Sequence, residues 1–187
     1  MNKTIFFTAI LLSTNLALAE PSPVVLEEHQ TIIQVNGVVC SFCAYGAEKA
    51  LSKIDGLDKS EFGDGVLVDV KTHRITLAMQ AGAKIPFQQI YQRIKSAGYD
   101  PITVHVRSKG KLERSGDTLL LRDSESGKAV LLNHAAKAGI TDQTSVVVQA
   151  HFDASQIPDL GESEPVKVTV DRLIGDSNPE RDGGERG

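Results

Sequence analysis

The stretch 66–79, "VLVDVKTHRITLAM", decides how this chain folds. Val66, Val68 and Val70 alternate onto one face of a strand, and Ile75, Leu77 and Met79 onto one face of the next. That period of two belongs to half-buried strands. Between the two runs, "KTHR" (71–74) is a short polar turn, so the stretch predicts a β-hairpin. Strands joined this tightly are antiparallel, because parallel neighbours need a crossover of a dozen or more residues.

The segments on either side complete the pattern. Upstream, Ala44, Ala47, Leu51 and Ile54 recur at helical spacing, and Asp55-Gly56 stops that helix. Before it, "TIIQV" (31–35) is a β-branched strand ending at the turn pair Asn36-Gly37. Downstream, Pro86 opens a second helix, with Phe87, Ile90, Tyr91, Ile94 and Ala97 on one side and Gly98 at its end. "ITVHV" (102–106) is the last strand, its Ile102, Val104 and Val106 alternating with Thr103 and His105. The order β-α-β-β-α-β over 31–107 is the split βαβ, ferredoxin-like arrangement.

Beyond it the sequence changes character. A polar, glycine-containing linker is expected at 108–111, followed by a short strand near Leu112. "DTLLLRD" and "KAVLLN" form two strands across the turn "SESG". The helical patch "HAAKAG" (134–139) then precedes the strands "TSVVVQAHF" and "PVKVTVDRL". Five strands with a helical insertion between the third and fourth follow the order of a small OB-type barrel. The expected fold class is therefore α+β: a ferredoxin-like βαββαβ domain followed by a small OB-type β-barrel domain over 112–174.

The ends read as segments outside this fold. Residues 1–19, "MNKTIFFTAILLSTNLALA", have a basic start, a short apolar run and Ala17-Leu18-Ala19, the pattern of a cleaved secretory signal peptide. Export to the periplasm, without stable membrane insertion, is the expectation. Residues 20–30 read as a mobile, Pro- and Glu-rich lead-in, and 175–187 as a disordered polar tail.

Bulk composition narrows the function. The chain has 187 residues, a formal net charge of −4 and no Trp, so nucleic acid is not an expected partner. No Gly-rich phosphate loop, nucleophile elbow or Ser/His/Asp arrangement stands out, and no enzymatic activity is expected. The histidines at 29, 73, 105, 134 and 151 are scattered and read as solvated surface groups. Past position 19 the single methionine is Met79, on a strand's apolar face, so a Met-rich copper store is absent.

The chemistry lies in "GVVCSFCAYGAEKA" (37–50), which holds both cysteines. Cys40 falls in the loop leaving the first strand and Cys43 in the first turn of the first helix. A helix N-terminus carries unpaired N–H groups and partial positive charge, which stabilise a thiolate. Three uses compete: a metal clip, a redox dithiol and a small structural disulfide. Structural zinc takes four protein ligands and catalytic zinc three, whereas the loop offers two sulfurs and no histidine. Soft ions content with two thiolates, Cu(I) or Hg(II), fit better. Against the redox use stand the hairpin after the first helix, the lack of Trp beside the cysteines, and Pro86 as a helix starter.

Residues 31–107 resemble the heavy-metal-associated domain family, which includes copper chaperones and periplasmic mercury-binding proteins. The resemblance rests on "VNGVVCSFCAYGAEKAL" (35–51), on "AGYDP" (97–101) and on the element order. The family motif is Gly-Met-Thr/His-Cys-X-X-Cys; here Val38 stands at the Met position and Val39 at the Thr/His position. The resemblance implies that Val38 packs beneath the loop in the methionine's place, that Cys40 and Cys43 ligate the metal, and that Tyr99 faces the site without ligating. A partly buried core aromatic is the other reading of Tyr99. The expected function is an exported soft-metal-binding protein that carries one Cu(I) or Hg(II) ion to a membrane metal transporter or recipient metalloprotein. Its alternatives are an interaction module with an oxidised cysteine pair and a dithiol redox protein.

Overall fold

The hairpin strands are β2 (Val66–Asp69) and β3 (Arg74–Ala78), paired antiparallel with Val68 opposite Ile75. The Asp69 carboxylate closes the turn by accepting from the Lys71 and Thr72 amides and the Thr72 hydroxyl. The computed structural model describes residues 24–38, 40–115, 118–124, 129–133, 145–159 and 165–174. β3 pairs with β1 (Gln30–Asn36), and β1 pairs on its other edge with β4 (Asp100–Ser115), both antiparallel. The sheet order is thus β2-β3-β1-β4, with α1 (Ser41–Leu51) and α2 (Phe87–Ser96) in the two connections. This is the element order of the split βαβ motif.

Alternation decides which side chains the helices cover. Ile33, Ile75, Leu77 and Val104 are buried in one cluster with Ala47 and Leu51 of α1 and Ile90 and Ile94 of α2. α1 stops a turn before Asp55-Gly56. Ser52 N–H closes on the Glu48 carbonyl, and a tighter turn from Leu51 to Ile54 follows, from which Ile54 still enters the core. Pro86 precedes α2 as its N-cap, and Gly98, at φ +89°, ends it.

At 108–111 the structure departs from the sequence reading. The expected linker is strand: β4 runs unbroken through it and absorbs the short strand expected near Leu112. The polar residues that look like a linker are ladder residues. Along β4, β1 pairs with 100–106, β7 (Ser145–Asp153) with 103–111, and β5 (Thr118–Asp123) with 110–115. Gly110 belongs there because β5 approaches closely. A Cβ on it would stand 2.1 Å from the Arg122 carbonyl oxygen, a backbone proximity that only glycine tolerates.

The remaining strands follow from the β-branched and leucine-rich runs. β5 pairs with β6 (Ala129–Asn133) antiparallel, β6 with β8 (Val166–Leu173) in parallel, and β8 with β7 antiparallel. The pairings that leave β4 through β5 return to it through β7. The molecule is therefore a mixed α+β protein with a mostly sheet body.

A single hydrophobic cluster runs through both halves, from Ile33 and Leu51 to Leu121, Phe152 and Val168. Phe152 meets Phe87 of α2 edge to face at 5.3 Å, an arrangement that contributes about 0.5–1.5 kcal/mol beyond area burial. A 3₁₀ helix, Ala154–Asp159, adds Ile157 to the same core; six residues hold too little periodicity to announce it. In the expected lead-in, residues 24–30 are described: Leu26 is buried, and the Val24 carbonyl accepts from Gln149 Nε2 at 2.6 Å. The expected signal peptide (1–19), helical patch (134–139) and tail (175–187) lie outside the described residues. Among the described residues no helix is long and apolar enough to cross a membrane.

Candidate metal centre

Cys40 is the N-cap of α1. Its backbone is extended (φ −148°, ψ 159°), and its Sγ accepts from the Cys43 amide at 3.2 Å. Sulfur here occupies the place that a Ser or Asp oxygen takes in an ordinary cap. The Ala44 amide donates to the Cys40 carbonyl at 3.0 Å and starts the helical ladder. Both sulfurs thus lie at the positive end of α1, whose first turn holds no acidic residue. The amide contact and the helix dipole favour negative charge on sulfur. In this structure the two cysteines are joined as a disulfide, with Cα atoms 5.1 Å apart.

Three residues brace the loop from beneath. Val38 is fully buried (0% exposed) in the central cluster, the apolar support that the family resemblance implies for this position. Gly37 has φ +98°, a conformation that favours glycine, and a Cβ there would press on the Tyr99 ring at 3.2 Å. Tyr99 is a buried aromatic that reaches the cysteine loop. Its ring is buried, and its hydroxyl donates to the Cys43 carbonyl at 2.8 Å across 56 residues of sequence. It supports the cysteine loop through the backbone.

The outer side of the loop is different. Phe42, between the cysteines, is 90% exposed, and Tyr45 one turn on is also exposed. Lys49 Nζ lies 5.7 Å from the Tyr45 ring centroid, within cation–π range. The cysteine pair therefore sits at an accessible rim, with packed aromatic support below it and an open aromatic above it.

Two histidines correct the sequence reading. His105 and His151 were expected as isolated surface groups, but they are cross-strand partners on β4 and β7, with ring centroids 5.5 Å apart. Asp171 of β8 joins them. Its Oδ1 lies 2.5 Å from His151 Nδ1, and its Oδ2 lies 3.7 Å from His105 Nδ1. Burial pushes the His105 imidazole below its ordinary pKa; Asp171 opposes that shift, while His151 and Arg74 add to it. Nothing in the spacing of positions 105, 151 and 171 announces this cluster, because strand register alone creates it. His73 lies in the hairpin turn at φ +53°, as the turn reading of "KTHR" implies.

No family model matches this chain, and no curated protein does. Among solved structures, the chain is similar to a CopZ metallochaperone, at 26% identity and a TM-score of 0.33. The match covers 39% of this chain and 98% of that one.

Proposed function

We propose that this protein is an exported carrier of one soft metal ion, Cu(I) or Hg(II), held by the thiolates of Cys40 and Cys43. The observation that carries the reading is the placement of both sulfurs at the N-terminus of α1, on a braced loop with an exposed rim. Two thiolates at such a site suit an ion satisfied by low coordination. The disulfide must first take up two electrons and two protons from a dithiol donor, and metal binding then releases the thiol protons. Transfer proceeds by ligand exchange: an incoming thiolate of a membrane metal transporter or recipient metalloprotein bonds the ion, and one cysteine leaves. Exposure of the loop allows that approach. The periplasm is the compartment that residues 1–19 favour, and the role is non-enzymatic. The C-terminal strands are read as a small OB-type barrel, on the support of their cyclic pairing and the parallel β6–β8 pair.

The test is anaerobic titration of the reduced protein with Cu(I) and Hg(II) against a competing chelator, beside a Cys40→Ser/Cys43→Ser variant. One equivalent bound by the native dithiol and none by the variant is the expected result. Equal binding by both ends the proposal.

The Cys40–Cys43 disulfide favours a second reading, a dithiol redox protein or an interaction module with an oxidised pair. Catalysed disulfide exchange with a substrate protein, in the absence of metal, is its signature.

A further inference from the structure

His105, His151 and Asp171 each offer one ligand atom, and these atoms all lie within 4.8 Å of one another. We propose that they form a second metal site, distinct from the dithiol, for a first-row divalent ion of the Zn(II) class. Two features of the fold build it. His105 and His151 face each other across the β4–β7 ladder, so their side chains leave the same face of the sheet. β8 brings the carboxylate from the far edge of β7. Its register against β7 shifts between Gln149 and Ala150, which face Arg172 and Val170, leaving Asp171 as the extra residue of a β-bulge. Bulges re-aim side chains in this way, often beside functional sites.

The second feature is an unmet hydrogen-bonding need. His105 Nδ1 is buried and has no hydrogen-bond partner, because Asp171 Oδ2 at 3.7 Å is beyond hydrogen-bond range. A buried polar atom left unpaired is destabilising. A cation between the three side chains gives that nitrogen a bond.

Two imidazoles and a carboxylate are nitrogen and oxygen ligands, suited to Zn(II) and its first-row neighbours and not to the soft ions of a dithiol. Ligand distances of about 2.0–2.1 Å place neighbouring ligand atoms about 3.3 Å apart in a tetrahedral site. The His151–Asp171 contact of 2.5 Å therefore opens on binding, while the longer separations contract. Three protein ligands leave a position for water or an incoming group. His151 and Asp171 are partly exposed, which gives the ion a way in.

The experiment uses the full chain with Cys40 and Cys43 held as the disulfide, so that no thiolate competes. Zn(II) alone is titrated by calorimetry and Co(II) by visible absorption, in the wild type, His151→Ala, Asp171→Asn and Cys40→Ser/Cys43→Ser proteins. Expected is one equivalent of Zn(II) in the wild type and the cysteine variant. His151→Ala and Asp171→Asn should weaken it by no less than the roughly 10–100-fold that loss of a supporting partner costs. His105 is too buried to replace without risk to folding, so its part is read from the shift of its ring nitrogen resonances on Zn(II) addition. No equivalent in the wild type overturns the proposal. So does binding unchanged in both cluster variants, binding lost in the cysteine variant, or a His105 ring that ignores the ion.

Discussion

The cysteine loop and the histidine–aspartate cluster use opposite means to bring ligands together. Cys40 and Cys43 meet because one helical turn joins them, with Val38 and Tyr99 bracing their loop from below. His105, His151 and Asp171 sit on three neighbouring strands, each fixed by its backbone ladder. An exposed loop of the first kind is open to an approaching partner. A sheet face of the second kind keeps its geometry through the cooperativity of the whole fold. The atoms on offer differ too, soft sulfur on the exposed rim and borderline nitrogen with hard oxygen on the sheet face.

The sharpest way to break this comparison is to exchange ions between the regions. In the reduced protein, Cys40→Ser/Cys43→Ser should abolish Cu(I) binding and leave the Zn(II) equivalent intact, as read by chelator competition and calorimetry on the same samples. Loss of both ions together would mean that one site serves both.

The next largest effect falls on β4, which both regions share. Overpacking costs about 1–3 kcal/mol where side chains can yield, but at Gly110 the obstacle is the β5 backbone. Gly110→Val should therefore lose at least about 3 kcal/mol in urea unfolding. Because one core spans both halves, thiol reactivity of the reduced loop and far-ultraviolet circular dichroism should report a single shared transition. Two separated transitions would show the regions to be independent units.

Smaller changes address one region at a time. Tyr99→Phe removes the hydroxyl bond to the Cys43 carbonyl and should cost about 0.5–1.5 kcal/mol in thermal unfolding, with Zn(II) affinity unchanged. The smallest effect belongs to the hairpin turn. Hydrogen bonds from the Thr72 hydroxyl and the Lys71 amide hold the Asp69 carboxyl below its ordinary value of 3.8. The folded protein thus binds that proton less readily than the unfolded chain, so the bonds stabilise above pH 3.8 and lose their effect as pH falls below it. Asp69→Asn should lower the melting temperature slightly at neutral pH and make no difference in strong acid, as scanning calorimetry at both pH values would show.

Much of the N-terminal half was legible because its signals are local. The alternation in 66–79, the helical spacing of Ala44, Ala47 and Leu51, and Pro86 ahead of α2 each span less than about four turns or one hairpin. Cys40 at the mouth of α1 could be placed from those signals alone. The linker expected at 108–111 failed for a physical reason: Ser108, Lys109 and Gly110 look like linker, yet their backbones pair with β7, and Gly110 is small because the β5 backbone lies close by. Composition cannot separate a solvated linker from a strand crowded by neighbours. The histidines were misread for the same reason, since a polar residue on a strand shows its face but not its neighbour.

By itself the sequence determined the split βαβ order, the strands from position 118 onward, and a thiol pair at a helix N-terminus, since periodicity and capping act over a few residues. The tertiary structure alone decided that β4 is continuous, that one core joins the two halves, and that positions 105, 151 and 171 converge. Those outcomes depend on which strands become neighbours and in what register. Side-chain burial summed over the whole molecule selects that arrangement, and no local stretch of sequence carries it.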